Sequence, residues 1–258
     1  MASGVLVACI GSATRLIDYV QRMKKRYTGT FLLGRHSPTE DTDGEVTKLV
    51  DPLIPTREAI LAATVPLTGR IDQRPPAFSA LKVAGRRAYD LARKGELVEL
   101  ASRPVDVYRL ELLSYDYPML EIEVECGSGT YIRSLGRDLA RSLGTEAVMS
   151  ALTRTAIGDF ALVDAVDPMT LDNDSLERHL LPSLRAVAGL PRVVLSSAEL
   201  TEVGHGRTIP YRRPDDAAEA VSGDEIAALD AQGRLAAILE VRQEGVLAVV
   251  RNFCSDGC

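Results

Sequence analysis

The chain has 258 residues, of which 46% are hydrophobic, and it carries a formal net charge of −6. This length suits one large domain, or a medium domain with a small one, and the hydrophobic content is ample for a core. The sequence contains no apolar run of about 18 residues and no basic leader, so it favours neither a membrane span nor export, and we expect a cytoplasmic protein.

The charge is unevenly distributed along the chain. Residues 14–35 contain six Lys or Arg against one acid, and residues 66–94 contain seven against two. Residues 198–232 reverse the balance, with eight acids against three arginines. A basic front half with interleaved tyrosines suits a polyanion such as nucleic acid. Solvated faces of uneven charge would explain the same pattern, so the charge alone leaves both interpretations open.

The cysteines and histidines do not form a recognisable site. Four cysteines are widely scattered, and the three histidines lack the mutual spacing of metal ligands. We therefore predict neither a metal site nor a disulfide framework.

The first predicted elements are a strand, a helix and a second strand. Residues 4–10, GVLVACI, are typical of a short apolar strand, and Ser12 could cap the helix that follows. In residues 24–34, KKRYTGTFLLG, the side chains alternate so that Tyr27 and Phe31 share one face of a strand. Tyr27, behind two cations, could stack on a nucleobase or could equally be a core tyrosine.

A loop and a basic segment come next. Residues 37–45, SPTEDTDGE, cluster turn formers and acids; Asp41 and Asp43 could form a catalytic or metal pair, but turn acids are commoner. Thr56 is predicted to open a helix. Residues 69–94, here called the arm, combine two prolines with basic and aromatic residues, which predicts an extended loop and then a short helix from residue 86.

The strongest pattern in the chain covers residues 120–144. Apolar residues alternate with glutamates over 120–126, which predicts a strand, and leucines recur every four residues from Leu135, which predicts a helix with a neighbouring row of arginines. A glycine-containing corner joins the two and places Tyr131 and Arg133 in the first helical turn. A tyrosine ring beside a guanidinium suits a nucleobase and a phosphate or carboxylate. Alternatively, Tyr131 covers the core and Arg133 is a solvated helix residue.

The rest of the chain predicts a short helix, a boundary and a small module. Thr145 could cap a helix over EAVMSAL, and residues 172–190 form an amphipathic helical stretch that is interrupted by proline. Ser196 and Glu199 have capping-box spacing, and two strand patterns, LAAILEVR and VLAVVRNF, follow. We predict two domains, residues 1–190 and a mostly β module of residues 191–258.

Six fragments in order resemble the TruB family of tRNA pseudouridine synthases over nearly the whole chain. The fragments are ASGVL from Ala2, KRY from Lys25, DTDG from Asp41, QRPPAFSALKVAGRRAY from Gln73, GTYIRSLGRDL from Gly129, and the tail pattern LSSAEL with GHGR. The proline-rich arm and GTYIR are specific to this family, and the tail is similar to its small PUA module.

The resemblance implies a fold, an activity and a partner. The fold is α+β: a mixed, largely antiparallel sheet with flanking helices, plus a C-terminal β-rich PUA-like domain. The activity is isomerisation of uridine-55 in the T-arm of tRNA to pseudouridine, in which the C1′–N1 bond breaks and C5 rejoins C1′. It requires no cofactor and no metal, and the target base must leave its stack. The implied partner is tRNA, with no membrane, and we expect a monomer.

The resemblance also implies roles for individual residues. Tyr27 matches the tyrosine that stacks on the everted base and is proposed to handle the C5 proton, and Arg133 matches the arginine that pairs with the catalytic aspartate. Tyr131 and Leu152 match positions that line the pocket. The arm would hold the T-arm backbone through three cations, Lys82, Arg86 and Arg87.

The sequence departs from the family at its start. The family's nucleophilic aspartate lies in a Leu-Asp-Pro tripeptide directly before the position of Met1, so we expect the natural chain to begin further upstream. The alternative is a catalytically inactive protein that binds or folds tRNA with the same cleft. The resemblance places Asp41 and Asp43 in a surface loop, which disfavours either as a substitute nucleophile.

Overall fold

The structure is a computed structural model that describes residues 2–78, 82–83, 86–87, 100–211, 221–243 and 245–254. For residues 82, 83, 86, 87, 173 and 174 it describes the backbone alone. Contacts divide the chain into two compact units: unit 1 comprises Met1–Leu6 and Arg22–Ala165, and unit 2 comprises Val7–Gln21 and Val166–Cys258. The division by contacts therefore falls after residue 165. The domain boundary near residue 190 stays a prediction.

The described residues form sixteen short to medium strands and five α-helices. The strands are β1 Ser3–Gly4, β2 Lys25–Leu33, β3 Arg35–His36, β4 Thr47–Lys48, β5 Gly69–Gln73, β6 Lys82–Val83, β7 Arg86–Arg87, β8 Arg103–Asp116, β9 Met119–Cys126, β10 Ala147–Ile157, β11 Phe160–Ala161, β12 Arg192–Val194, β13 Ile209–Pro210, β14 Glu225–Leu229, β15 Leu235–Arg242 and β16 Val246–Asn252. The α-helices are α1 Ile17–Arg22, α2 Arg57–Thr64, α3 Ile132–Ser142, α4 Asn173–His179 and α5 Ser197–Gly204. The 3-10 helices are Gly11–Leu16, Val65–Leu67, Leu162–Asp164, Pro168–Thr170 and Ser183–Val187.

Unit 1 is built on one mixed sheet. Its strand order is β1-β10-β2-β9-β8-β5, and β11 pairs with β10. The β1–β10 pair is parallel, and the other neighbours are antiparallel. Together with the flanking helices this arrangement confirms the predicted fold class, and it puts β2 between β10 and β9 at the centre of the sheet.

One face of this sheet packs on α3. Phe31 of β2 and Leu135 and Leu139 of α3 are all 0% exposed. Gly136 allows the close approach, because a Cβ atom at this position would lie 1.9 Å from Cε1 of Phe31. The helix therefore lies directly against the central strand, and its first turn is fixed relative to the residues of β2.

Two elements of unit 1 differ from the sequence prediction. The predicted helix over EAVMSAL is wrong, because residues 147–157 form β10, which pairs with both β1 and β2. The predicted strand over residues 4–10 is also wrong beyond its start, since β1 ends at Gly4. The helix that Thr56 opens is confirmed: the Thr56 side chain accepts a hydrogen bond from the Ala59 amide at the start of α2.

Unit 2 contains the predicted small β-rich module. Its five strands have the order β12-β14-β15-β16-β13 and enclose an apolar cluster that includes Val203, Ile226 and Leu239. The capping box at α5 is confirmed, since Ser196 and Glu199 each bond the other's backbone amide. The N-terminal segment 7–21 belongs to this unit.

That early segment bonds directly to the module's strands. The Tyr19 hydroxyl donates to Glu225 at 3.0 Å, and the Arg251 guanidinium donates to the Arg15 carbonyl at 3.2 Å. Unit 2 is therefore assembled from two stretches of chain that are far apart in sequence.

Within the described ranges, no helix has the length and apolar character that a bilayer crossing requires.

Candidate active site

A cavity of about 360 Å³ opens at the first turn of α3 in unit 1. It is lined by residues from β2, β10, the segment before β1, the loop after β3, the corner before α3 and the first turn of α3: Ala2, Tyr27, Asp41, Asp43, Thr130, Tyr131, Ile132, Arg133, Met149 and Leu152. Four residues that the sequence analysis selected thus surround one space, namely Tyr27, Tyr131, Arg133 and Leu152. Their catalytic and binding roles stay predictions.

Tyr27 stands on the central strand and is half-buried. It lies opposite Arg154 in the pairing of β2 with β10 and opposite Val124 in the pairing with β9. Burial raises the pKa of the Tyr27 phenol above its ordinary value, although a hydrogen bond with the Arg154 side chain opposes the rise. The phenol is therefore a neutral hydroxyl at physiological pH, available as a donor or an acceptor.

Arg133 is held by three oxygen acceptors. One nitrogen of its guanidinium, Nη1, donates to Oδ2 of Asp41 at 2.6 Å and to the Thr39 carbonyl at 2.9 Å. The other, Nη2, donates to the Phe78 carbonyl at 3.1 Å. These bonds fix the guanidinium in one orientation, because its acceptors belong to two separate segments, the loop after β3 and the arm.

Asp41 is the residue that the sequence analysis misplaced. It was expected in a surface loop, but it is 6% exposed and lines the cavity. Its Oδ1 accepts from the Thr39 hydroxyl at 2.6 Å and from the Asp43 amide at 3.2 Å, and it forms an isolated parallel bridge with Met149 of β10. Asp43 also lines the cavity and is exposed. The carboxylate of Asp41 is thus fixed beside the pocket by a turn that its own side chain closes.

A second buried ion pair lies along the same helix. Arg137 is 7% exposed and forms ion pairs with Glu40 and Asp138, while the Ser134 hydroxyl donates to Glu40 at 2.8 Å. Arg137 belongs to the predicted row of arginines beside the leucines of α3, but it is buried because Glu40, in the loop after β3, covers it. Glu40 and Asp41, two consecutive residues of the loop, therefore bond to side chains in the first two turns of α3.

The predicted arm is described only in part. Residues 82–83 and 86–87 form the antiparallel pair β6–β7, so the predicted helix is wrong at Arg86 and Arg87. The side chains of Lys82, Arg86 and Arg87 lie outside the described part of the structure, and their contact with RNA stays a prediction.

Among the described residues, no group of three or more His, Cys, Asp or Glu side chains is placed to hold a metal ion. The polar groups that line the cavity include the phenols of Tyr27 and Tyr131, the guanidinium of Arg133 and the carboxylates of Asp41 and Asp43.

Comparison with known proteins identifies the family. The profile described as TruB family pseudouridylate synthase (N terminal domain) matches residues 1–132. A tRNA pseudouridine synthase B of Bradyrhizobium diazoefficiens is 40% identical over 251 residues, which are 93% of this chain and 71% of that protein. The chain belongs to the TruB family. A relative of the same name from Caulobacter vibrioides is 37% identical over 261 residues, 98% of this TruB-family chain and 84% of the relative.

Solved structures share the fold of this TruB-family chain at lower sequence identity. A chain in the crystal structure of a Cbf5-Nop10-Gar1 complex superposes with a TM-score of 0.71 at 22% identity, over 98% of this chain and 72% of that one. A chain in the structure of an H/ACA RNP bound to a substrate RNA containing 2′-deoxyuridine gives a TM-score of 0.66 at 21% identity, over 95% of this chain and 70% of that one. At these identities the likeness shows the fold.

Sequence reasoning missed two residues of this site. Asp41 lies in a segment with the composition of an ordinary turn, and its burial and its ion pair with a residue 92 positions away are not visible in that composition. Gln73 carried no signal of its own, yet it is 1% exposed and contacts the backbone of Tyr131. In the sequence, Gln73 was indicated only by its position in the QRPP fragment.

Proposed function

We propose that this TruB-family protein isomerises uridine to pseudouridine in tRNA and that its target is uridine-55 of the T-arm. The observation that carries the proposal is the cavity itself: Tyr27, Tyr131, Arg133 and Leu152, which the family resemblance assigns to the pocket, line one space. Its volume of about 360 Å³ is within the range of small-ligand sites. The names of the relatives support tRNA as the substrate.

The walls of the cavity suit an everted pyrimidine. A base that leaves its stack loses aromatic contacts and hydrogen bonds, which the pocket must replace with ring faces and polar edges. Tyr27 and Tyr131 supply rings, Leu152 and Met149 supply apolar surface, and Arg133 supplies a fixed cation. We assign Tyr27 to stacking on the uracil and Tyr131 and Leu152 to the pocket wall.

The reaction is an isomerisation without net loss or gain of atoms. The C1′–N1 glycosidic bond breaks, the uracil turns within the cavity, a C5–C1′ bond forms, and the proton at C5 is exchanged for one at N1. We assign the transfer of that proton to the neutral Tyr27 phenol, and the orientation of the nucleophilic carboxylate at the sugar to Arg133. The family resemblance implies that the nucleophile is an aspartate carboxylate.

Three further expectations belong to this proposal. The arm, through Lys82, Arg86 and Arg87, would contact the T-arm backbone, since phosphate contacts position a nucleic acid without specifying sequence. The β-rich part of unit 2 would be the PUA-like domain. The protein would act as a monomer in the cytoplasm, where tRNA is modified.

The test is tritium release from tRNA labelled at C5 of uridine, with the protein isolated from its natural source. We expect one tritium released per tRNA, and none from a tRNA that has cytidine at position 55. Tyr27→Phe should bind tRNA but release tritium slowly, because the ring remains and the hydroxyl is lost. Tight binding with no release from the wild-type protein would favour the inactive tRNA-binding alternative. Neither binding nor release would refute the proposal.

A further inference from the structure

Gln73, the last residue of β5, pairs with the backbone of a pocket residue. Its Nε2 donates to the Tyr131 carbonyl at 3.1 Å, and the Tyr131 amide donates to its Oε1 at 2.8 Å. The side chain is 1% exposed, so both bonds are shielded from water. One carboxamide therefore satisfies both backbone polar groups of a single residue, as a neighbouring strand would do.

Tyr131 is the residue immediately before α3, and its own side chain makes no capping hydrogen bond. A serine, threonine or aspartate at this position would satisfy a free amide and fix the start of the helix, whereas a tyrosine cannot. The Tyr131 carbonyl also accepts the first helical bond, from the Leu135 amide at 3.0 Å. Gln73 thus fixes the start of the helix that carries Arg133.

A second residue of the same strand pair supports the corner. Arg103 of β8 lies opposite Gln73 in the register, and its Nη2 donates to the Gly129 carbonyl at 2.6 Å. Its guanidinium carbon is 5.2 Å from the centre of the Tyr131 ring, a cation–π distance. The β5–β8 edge of the sheet therefore holds both the backbone and the ring of Tyr131.

The residues directly after Gln73 are tied to α3 as well. The Arg74 carbonyl accepts from Nη2 of Arg137 at 2.9 Å, and the Phe78 carbonyl accepts from Nη2 of Arg133. Residues 73–78 are the part of the arm nearest the sheet, and we call them the arm base. The arm base therefore makes four hydrogen bonds with Tyr131 and the first turns of α3, and two of them come from Gln73, which is 1% exposed.

We propose that Gln73 is a positioning residue for the reaction: it holds Tyr131 and the first turn of α3 in the geometry that receives the everted base, and it joins the arm base to the cavity. The effect of Gln73 on the reaction rests on the proposed function, since it concerns how the cavity binds an everted uridine. An error of about 1 Å in such a constellation can cost on the order of 100-fold in rate.

The test uses an RNA stem-loop of the T-arm with a fluorescent uridine analogue at the target position. Anisotropy gives the dissociation constant, and intensity gives the fraction of everted base. Gln73→Met keeps the length of the side chain and removes both bonds, and Gln73→Glu keeps only the acceptor for the Tyr131 amide. We expect Gln73→Met to lower the eversion equilibrium about tenfold or more and to weaken overall binding less than about threefold. Gln73→Glu should fall between Gln73→Met and the wild type.

A matched control separates positioning from lost stability. Ile60→Ala removes apolar volume from the core of the same unit at a residue that is 0% exposed and does not line the cavity. At a temperature where all variants are folded, Ile60→Ala should evert the base as the wild type does. Equal eversion by Gln73→Met and the wild type, or the same loss in Gln73→Met and Ile60→Ala, would overturn the inference.

A second measurement decides the inference even if the proposed function fails. Failure of the wild-type protein to evert the base would count against the proposed function alone. Exchange of the Tyr131 amide hydrogen would then report on Gln73 without RNA: we expect this amide to be protected in the wild type and to exchange at least about tenfold faster in Gln73→Met. Unchanged exchange would refute the positioning role.

Discussion

The ion pair between Asp41 and Arg133 gives the sharpest test of the cavity. Asp41→Asn keeps the size of the side chain and removes its charge. Three groups bond the carboxylate of Asp41 through its two oxygens: Arg133, the Thr39 hydroxyl and the Asp43 amide. All three are donors, so the new amide nitrogen must face at least one of them. Asparagine therefore loses the charge and at least one hydrogen bond.

The size of the effect follows from burial. The side chains are 9% exposed for Asp41 and 22% for Arg133, so water compensates little for the lost charge. Removing one partner of a fully buried pair costs about 3–5 kcal/mol, and a single bond to a charged group contributes about 1.5–3 kcal/mol. Arg133 keeps two carbonyl acceptors, so we expect Asp41→Asn to lower the free energy of unfolding of unit 1 by about 2–4 kcal/mol.

Amide hydrogen exchange in the peptides of β2 is the appropriate assay, because the chain has no tryptophan and its two units need not unfold together. The matched control is Asp43→Asn, the same chemical change two residues away, which should cost clearly less than Asp41→Asn because the Asp43 side chain is exposed. Equal protection of β2 in Asp41→Asn and Asp43→Asn would show that the pair between Asp41 and Arg133 does not hold the loop.

Two further predictions concern the core beneath the cavity. Gly136→Ala should destabilise unit 1 by about 1–3 kcal/mol in spite of the better helix propensity of alanine, because the new methyl overlaps the buried Phe31 ring; a more stable variant in urea unfolding would contradict this packing. Burial raises the pKa of the Cys126 thiol to about 11. The unfolded thiol ionises near 9 while the folded one stays protonated, so this share of stability is present below about pH 9 and is lost as the pH rises to about 11, by about 2–3 kcal/mol. Cys126→Ala should show a shallower decline over that range, and a parallel decline would refute the assignment.

The sequence predicted those elements in which the spacing of the apolar residues matches the face that the fold buries. The strand before the corner has one buried and one wet face, and the helix after it has a leucine stripe against Phe31, so alternation and helical periodicity were sufficient for both. By contrast, β10 begins with AVMSAL, whose alanine, methionine and leucine favour a helix. Pairing with β2 along this stretch overrides that local preference, and the pattern of the segment alone could not reveal it.

The cavity was predictable only through family motifs, and then incompletely. Tyr27 and Arg133 stood in recognisable fragments, so their resemblance indicated a shared pocket. Asp41 differs from its neighbour Asp43 only in what the rest of the fold places around it, and Gln73 acts through bonds to a backbone 58 residues away. Burial and partners of this kind depend on tertiary structure, so the sequence of either segment cannot show them.

Unit 2 is assembled from two separate stretches of chain, and this affects its folding during synthesis on the ribosome. Residues 7–21 emerge early, but the rest of their unit begins at Val166, which is translated roughly 7–30 s later at ~5–20 residues per second. Over that interval Leu16, which is 0% exposed in the finished protein, has none of its unit's later strands to cover it. The nascent chain therefore carries an exposed apolar segment for seconds, the kind of surface that chaperones bind.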